Sequence, residues 1–175
     1  MSNVVYKKVK EFKRKFPMTI GWRLRANSKV IEQFLNPGEE VLYAFTAQKN
    51  DNPLDIVTTC VVTLTNKRIL IGQKRVLFGF LYTSITPDMF NDLKIRMGLI
   101  WGKVILDTIN ELVILTNIQK EALDEIETHI SEYMMKEKQK YINFKIESWL
   151  ILFFWLYVAI EKNDIINYNL IRGKW

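Results

Sequence analysis

The chain is poor in the residues on which most enzyme chemistry depends. Its 175 residues include one cysteine, Cys60, and one histidine, His129. A lone thiol cannot close an internal disulfide, and one Cys with one His falls short of a four-ligand zinc set. His129 is the only side chain whose ordinary pKa lies near neutrality. Its neighbour Ile130 puts it at the border of an apolar helical stripe rather than among acids and nucleophiles. Cys60 falls on the face that Val62 and Leu64 share, the place of a small buried hydrophobe. The seven glycines are scattered, and none opens a Gly-x-Gly-x-x-Gly or Gly-x-x-x-x-Gly-Lys phosphate loop. The acidic pairs Glu39–Glu40, Asp51–Asp55 and Asp124–Glu125 sit in a turn, a loop and a helix face, where solvation explains them. The expectation is a protein that is not an enzyme, with no cofactor and no metal. An apolar signal-peptide core is lacking too, since Val4–Lys15 is basic and interrupted; this and the unpaired cysteine predict a reducing, cytoplasmic setting. The longest apolar stretch without a charge, Ser148–Ile160, is 13 residues, against the roughly 20 that span a bilayer.

What the chain does have is charge in one place. The net charge is +6, yet residues 1–29 alone carry nine cations against Glu11, so that the rest is slightly acidic. Such asymmetry suits an arm that meets an anionic surface. Within it Val5, Val9, Phe12 and Phe16 recur at helical spacing, with Lys7, Lys8, Lys10, Lys13, Arg14 and Lys15 on the other faces, and Pro17 stops the pattern. Three readings of this basic amphipathic helix stand side by side: its apolar stripe docks on the rest of the protein, it lies on an anionic membrane, or it holds nucleic acid. A second short helix is expected over Ser28–Leu35, with Ser28 as its cap and Asn36-Pro37-Gly38 as its end.

From Glu40 the period changes to two. Seven strands are predicted: 40–48, 56–65, 68–73, 74–83 with a bend at Gly79, 93–101, 103–107 across a turn at Gly102, and 111–115. Cys60, Val62 and Leu64 alternate with Thr59, Val61, Thr63 and Thr65, as in a half-buried strand, and Asn66 is placed to take the left-handed conformation of a tight hairpin turn. Thr116 and Gln119 read as a capping box opening an amphipathic helix whose stripe is Ile118, Ala122, Ile126, Ile130, Tyr133 and Met134. Short strands joined by small turns describe a sandwich or a nearly closed barrel. The helix is expected to cover one end of it.

The hairpin Val-Val-Thr-Leu-Thr-Asn-Lys-Arg-Ile-Leu-Ile-Gly, residues 61–72, resembles the Thr-Asn-Lys-Arg hairpin of bacterial pleckstrin-homology (PH) domains. Trp22-Arg-Leu-Arg25, Val30-Ile31 and Glu40–Lys49 are more narrowly similar to the YokE-like group of Firmicutes and their prophages; the likeness covers about residues 20–136. It implies a mainly β fold with helices: a PH-like seven-stranded barrel closed by a C-terminal amphipathic helix, here with an N-terminal helical arm. It also implies an interaction or assembly module, with self-association among the expectations. Eukaryotic PH domains often hold phosphoinositides with basic residues between the first two strands. That loop here, Lys49–Asp55, has one lysine and two aspartates, and no such site is carried over.

The organisation expected is an arm over 1–19, a PH-like domain over 20–140 with strands at about 40–115 and a closing helix at about 117–138, and a hydrophobic extension over 141–175. Three candidate surfaces follow. Lys7, Lys8, Lys10, Lys13, Arg14 and Lys15 form an anionic-surface contact. Lys67, Arg68, Lys74 and Arg75 form a secondary basic patch, with solvated hairpin and edge charges as the alternative. Trp149, Phe153, Phe154, Trp155 and Tyr157 form a membrane or protein interface, with an unselected tail as the alternative. The partners expected are the protein itself or another protein, and an anionic membrane at its inner face; nucleic acid is the alternative class.

Overall fold

The alternation that begins at residue 40 becomes a seven-stranded antiparallel sheet in the computed structural model, which describes residues 3–52 and 54–172, with side chains as far as Val158 except Tyr141 and Leu156. The strands are β1 (Val41–Gln48), β2 (Thr59–Thr65), β3 (Ile69–Lys74), β4 (Phe80–Ile85), β5 (Phe90–Met97), β6 (Trp101–Thr108) and β7 (Leu112–Gln119). Their order is β4-β3-β2-β1-β7-β6-β5. β1 pairs with β2 along its length but meets β7 only at Gln48 and Thr116, so the sheet turns a corner there and curls into a half-barrel. Ahead of it lie helices α1 (Val4–Lys15) and α2 (Leu24–Glu32); after it comes α3 (Leu123–Arg172). The chain divides into two compact units, Met1–Lys136 and Glu137–Trp175.

Two apolar clusters hold the first unit. Inside the barrel, Phe45, Cys60, Val62, Leu64, Ile71 and Leu115 pack with Phe12 and Phe16 and with Leu123, Ile126, Ile130 and Met134 of α3. On the outer face, Val5 and Val9 of α1 and Ile31 of α2 cover Ala44, Val61 and Leu70. All seven residues of β2 are therefore buried, not one face of it. The expected half-buried strand is corrected by the two helices, which cover the side the alternation left for water.

Several boundaries move for tertiary reasons. α2 starts at Leu24 after Arg23, whose φ of 55° turns the chain, so Ser28 is a buried residue inside the helix and not its cap. The strand expected over 74–83 is broken by a turn from Arg75 to Gly79, closed by the Arg75 N–H donating to the Gly79 carbonyl at 3.2 Å. Gly79 has φ 79°, which glycine adopts without strain. The turn expected at Gly102 lies at residues 98–100, and Gly102 sits within β6, where a Cβ would come 2.4 Å from Leu123 Cδ1. Asn66 keeps a negative φ; Thr65 Oγ1 instead accepts the N–H groups of Lys67 and Arg68 at 3.2 and 3.0 Å and folds the hairpin.

The capping box is overturned as well. β7 runs on through Gln119, one 3₁₀ turn (Lys120–Ala122) follows, and α3 begins only at Leu123. Thr116 donates its hydroxyl to the Asn50 carbonyl at 3.0 Å, and Gln119 Oε1 accepts the Met18 N–H at 2.9 Å. Both side chains are engaged by the loops beside β7. Nor does the helix end near 138: no glycine or proline interrupts the chain between Lys120 and Arg172, and α3 continues through the second unit. Pro53 of the expected loop, and residues 173–175 of the expected extension, lie outside the described residues.

Candidate interaction surfaces

The helix over Val4–Lys15 docks. Val5 and Val9 have no exposure and Phe12 has 4%, so the apolar stripe is spent inside the protein and cannot also enter a bilayer. The cations divide accordingly. Lys13 folds back to the carbonyls of Pro17 and Thr19, and partial burial lowers its ammonium pKa from the usual value. Lys15 pairs with Glu125 and lies 5.2 Å over the Phe16 ring. Lys8 is half-buried. Lys7, Lys10 and Arg14, at i, i+3 and i+7, form one exposed outward stripe.

Between α1, β1 and α3 lies a cavity of about 290 Å³ lined by Lys8, Glu11, Lys15, Tyr43, Glu125 and His129, among others. Tyr43 donates its hydroxyl to Glu125 Oε1 at 3.1 Å, and its ring stacks on His129 with centroids 4.3 Å apart. Burial, then the charge and hydrogen bond of Glu125, push the Tyr43 phenol well above its ordinary range. A phenol held neutral and donating to a carboxylate that Lys15 also contacts is an anchor for α1.

The expected basic patch is not one surface. Lys67 stands at the β2–β3 tip, whereas Lys74 and Arg75 stand at the far end of β3. Arg68 is committed inward. Its Nε donates to Glu39 Oε1 and its Nη2 to Glu39 Oε2, both at 3.0 Å, while Nη2 also reaches the Phe34 carbonyl at 2.9 Å and Nη1 the Ser84 hydroxyl at 3.2 Å. The Glu39 side chain is fully buried. Burial alone would raise its carboxyl pKa, but the hydrogen bonds from Arg68, the Asn36 N–H and Thr65, with the Arg68 charge, outweigh burial and hold it below the usual carboxylate range. The arginine of Thr-Asn-Lys-Arg is thus a clamp between the loop before β1 and the hairpin. Glu39, expected as a solvated turn acid, is instead buried in this pair, because its partner lies 29 positions away and only the folded sheet brings the two together.

Cys60 is fully buried, and burial pushes its thiol up to about 12. Among the described residues, no group of three or more His, Cys, Asp and Glu side chains could hold a metal ion. An apolar groove of about 430 Å³ between Met18, Ile20, Leu54, Ile56 and Trp101 was not anticipated; only the apolar Leu54 and Ile56 in an otherwise polar loop hint at it.

In the second unit, Trp149, Phe153, Phe154, Trp155 and Tyr157 all lie on α3 and all face solvent, at 60–68% exposure. Trp149 and Phe153 touch at i, i+4, with centroids 6.2 Å apart. No helix among the described residues is long and apolar enough to cross a membrane.

A curled seven-stranded sheet, with a helix packed into it from the C-terminal side, accompanies a match to a family model. That model, described as bacterial PH domain, fits residues 35–132, more than half of the chain. The chain belongs to the bacterial PH domain family. Among solved structures, the PH domain is similar to the pleckstrin homology domain from Shewanella amazonensis SB2B, known from a 1.99 Å crystal structure. The two share 13% identity and a TM-score of 0.43, over 77% of this chain and 94% of that one. No curated protein matches. PH domains are in general non-catalytic modules that bind proteins or lipids. In this PH domain the β1–β2 loop uses its own charges: Lys49 donates to the Thr83 hydroxyl at 3.0 Å and lies 3.7 Å from Glu111, and Asp51 pairs with Lys103. Those partners leave it no cradle of free cations.

Proposed function

We propose that this PH domain is a non-catalytic interaction and assembly module that works against the anionic inner face of a membrane. The observation that carries the reading is the outward stripe of Lys7, Lys10 and Arg14, exposed while the apolar side of the same helix is buried. Because that apolar side is docked, α1 contributes electrostatic attraction and no insertion. Each basic side chain near such a surface is worth about 1 kcal/mol, so the three together favour binding by on the order of a hundredfold. The exposed apolar stretch of α3 supports the assembly half of the reading. A helix apolar on every side is covered either by protein or by lipid, and one too short to span is suited to a contact between copies.

Vesicle flotation of the full chain tests the first half. Replacing Lys7, Lys10 and Arg14 by Gln together should lower binding to anionic vesicles by on the order of a hundredfold. Retention on duplex DNA that falls steeply with salt, without vesicle binding, would assign the stripe to phosphate backbones instead. Light scattering tests the second half: the full chain should be oligomeric, and Trp149→Glu with Phe153→Glu should return it to a monomer. A monomeric full chain would refute assembly through α3.

A further inference from the structure

We propose that the groove between α2 and the β3–β4 hairpin is a second membrane contact, in which a cationic cavity takes an anionic lipid headgroup while the apolar hairpin tip enters the bilayer interface. The cavity, of about 220 Å³, is lined by Arg23, Lys29, Lys74, Gln33 and Phe80 with Ala26 and Val30, and no carboxylate is among them. Three cations around a recess without a counter-charge favour an anion.

The recess is firmly built. Asn27 of α2, itself buried, donates Nδ2 to the Thr59 carbonyl at 2.9 Å and accepts the Lys74 N–H on Oδ1 at 2.9 Å. Arg23 Nη1 donates to the Arg75 carbonyl at 3.1 Å, tying the start of α2 to the base of the turn. Beyond α2, Phe34 stacks on Tyr82 of β4 with centroids 4.2 Å apart. At Gly72 the backbone of β3 comes so close that an added Cβ would sit 2.6 Å from Ile31 Cγ1. The elements that carry the cations are therefore held together.

Beside the recess, the Arg75–Gly79 turn presents Val76, Leu77 and Phe78 at 49%, 82% and 87% exposure. Three consecutive apolar side chains at a hairpin tip, next to cations without acids, match the two layers of a membrane surface: charge at the headgroups and apolar material just beneath. A protein partner would account for the apolar tip, but carboxylates on it would have to find all three cations at once. A lipid surface supplies that charge everywhere. α2 precedes the segment that the PH family model matches, whereas Lys74, Phe80 and the Arg75–Gly79 turn lie within it.

The inference rests on the membrane reading of the preceding section but on different residues, so the two can fail separately. In the full chain, Leu77→Ser with Phe78→Ser should lower the partition onto equimolar phosphatidylglycerol and phosphatidylcholine vesicles by on the order of a hundredfold, and Lys29→Glu by about tenfold. Neither change touches the core. A direct readout uses Leu77→Cys carrying a polarity-sensitive fluorophore, since the native Cys60 is buried and stays unlabelled. Its emission should shift to the blue on anionic vesicles, and inorganic phosphate should not reproduce the shift. Unchanged partition of the tip variants together with an unshifted probe, while the Lys7, Lys10 and Arg14 variant loses binding, overturns this contact and leaves the α1 reading intact. A shift produced by inorganic phosphate alone overturns the lipid assignment. Tip-dependent binding that survives neutralisation of α1 upholds this contact and overturns the other.

Discussion

Arg68→Ala should be among the most damaging single changes in the barrel. It removes both hydrogen bonds to Glu39 and those to Phe34 and Ser84, and it strands a carboxylate whose side chain has no exposure. Removing one partner of a buried ion pair costs about 3–5 kcal/mol. Arg68 itself is 17% exposed, so water reaches the vacated site in part, and the lower end, about 3 kcal/mol, is expected. For a chain of this length that corresponds to a fall in Tm of about 6–12 °C. Arg68→Lys keeps the charge but not the planar fork that serves Glu39 and the Phe34 carbonyl together, and should lose about 1.5 kcal/mol. Replacing Glu39 by Gln in the Arg68→Ala background removes the stranded charge and should recover part of the loss. Urea unfolding followed by far-UV circular dichroism reads all four proteins. A loss under about 1 kcal/mol for Arg68→Ala, with no recovery from Glu39→Gln, would show that the pair behaves as an exposed one and would refute the clamp.

Glu39 also sets an acid limit: its folded pKa is depressed, so its contribution is complete above the unfolded value near ~4.3 and is lost as pH falls through the folded one; Glu39→Gln should flatten the acid limb of a stability–pH curve, and an unchanged limb would contradict this. Cys60 acts at the other end. Its folded pKa is raised to about 12, so stability is unaffected below the unfolded value near ~8.5 and declines as pH rises from there. At mildly alkaline pH the native thiol should resist a disulfide reagent that labels the urea-unfolded chain at once, and prompt native labelling would refute its burial. Gly102→Ala should cost about 1–3 kcal/mol, because the new Cβ meets Leu123 Cδ1 at 2.4 Å and the Arg96 carbonyl at 2.8 Å; a urea midpoint equal to that of the wild type would mean that α3 does not pack against β6 at that point.

Much of the architecture is legible in the periodicity of the sequence. Val5, Val9 and Phe12 mark a helix face and Pro17 marks its end; α1 ends at Lys15, two residues earlier. The period of two from Glu40 onward yields seven strands, and the structure has seven. Local signals failed where a side chain serves a distant partner. Thr116 and Gln119 have the spacing of a helix cap but bind Asn50 and Met18, loops remote in sequence that only the folded sheet brings near. Val76, Leu77, Phe78 and Phe80 are apolar residues common in strands, yet Gly79 and the Arg75–Gly79 hydrogen bond make a turn there and project Leu77 and Phe78 into water. Charge is read worst of all. Arg68 and Lys67 are adjacent in the chain, but one is locked to Glu39 and the other stands free at the hairpin tip, whereas Arg23 and Lys74, 51 positions apart, line one cavity.

Sedimentation of the full chain with vesicles graded from pure phosphatidylcholine to phosphatidylglycerol-rich, at low and high salt, tests the central claim most directly. The cationic stripe of α1 and the recess beside α2 predict negligible binding without anionic lipid, a steep rise with its fraction, and a fall as salt screens the surface. Equal binding to neutral and anionic vesicles, or none to either at low salt, would contradict the account.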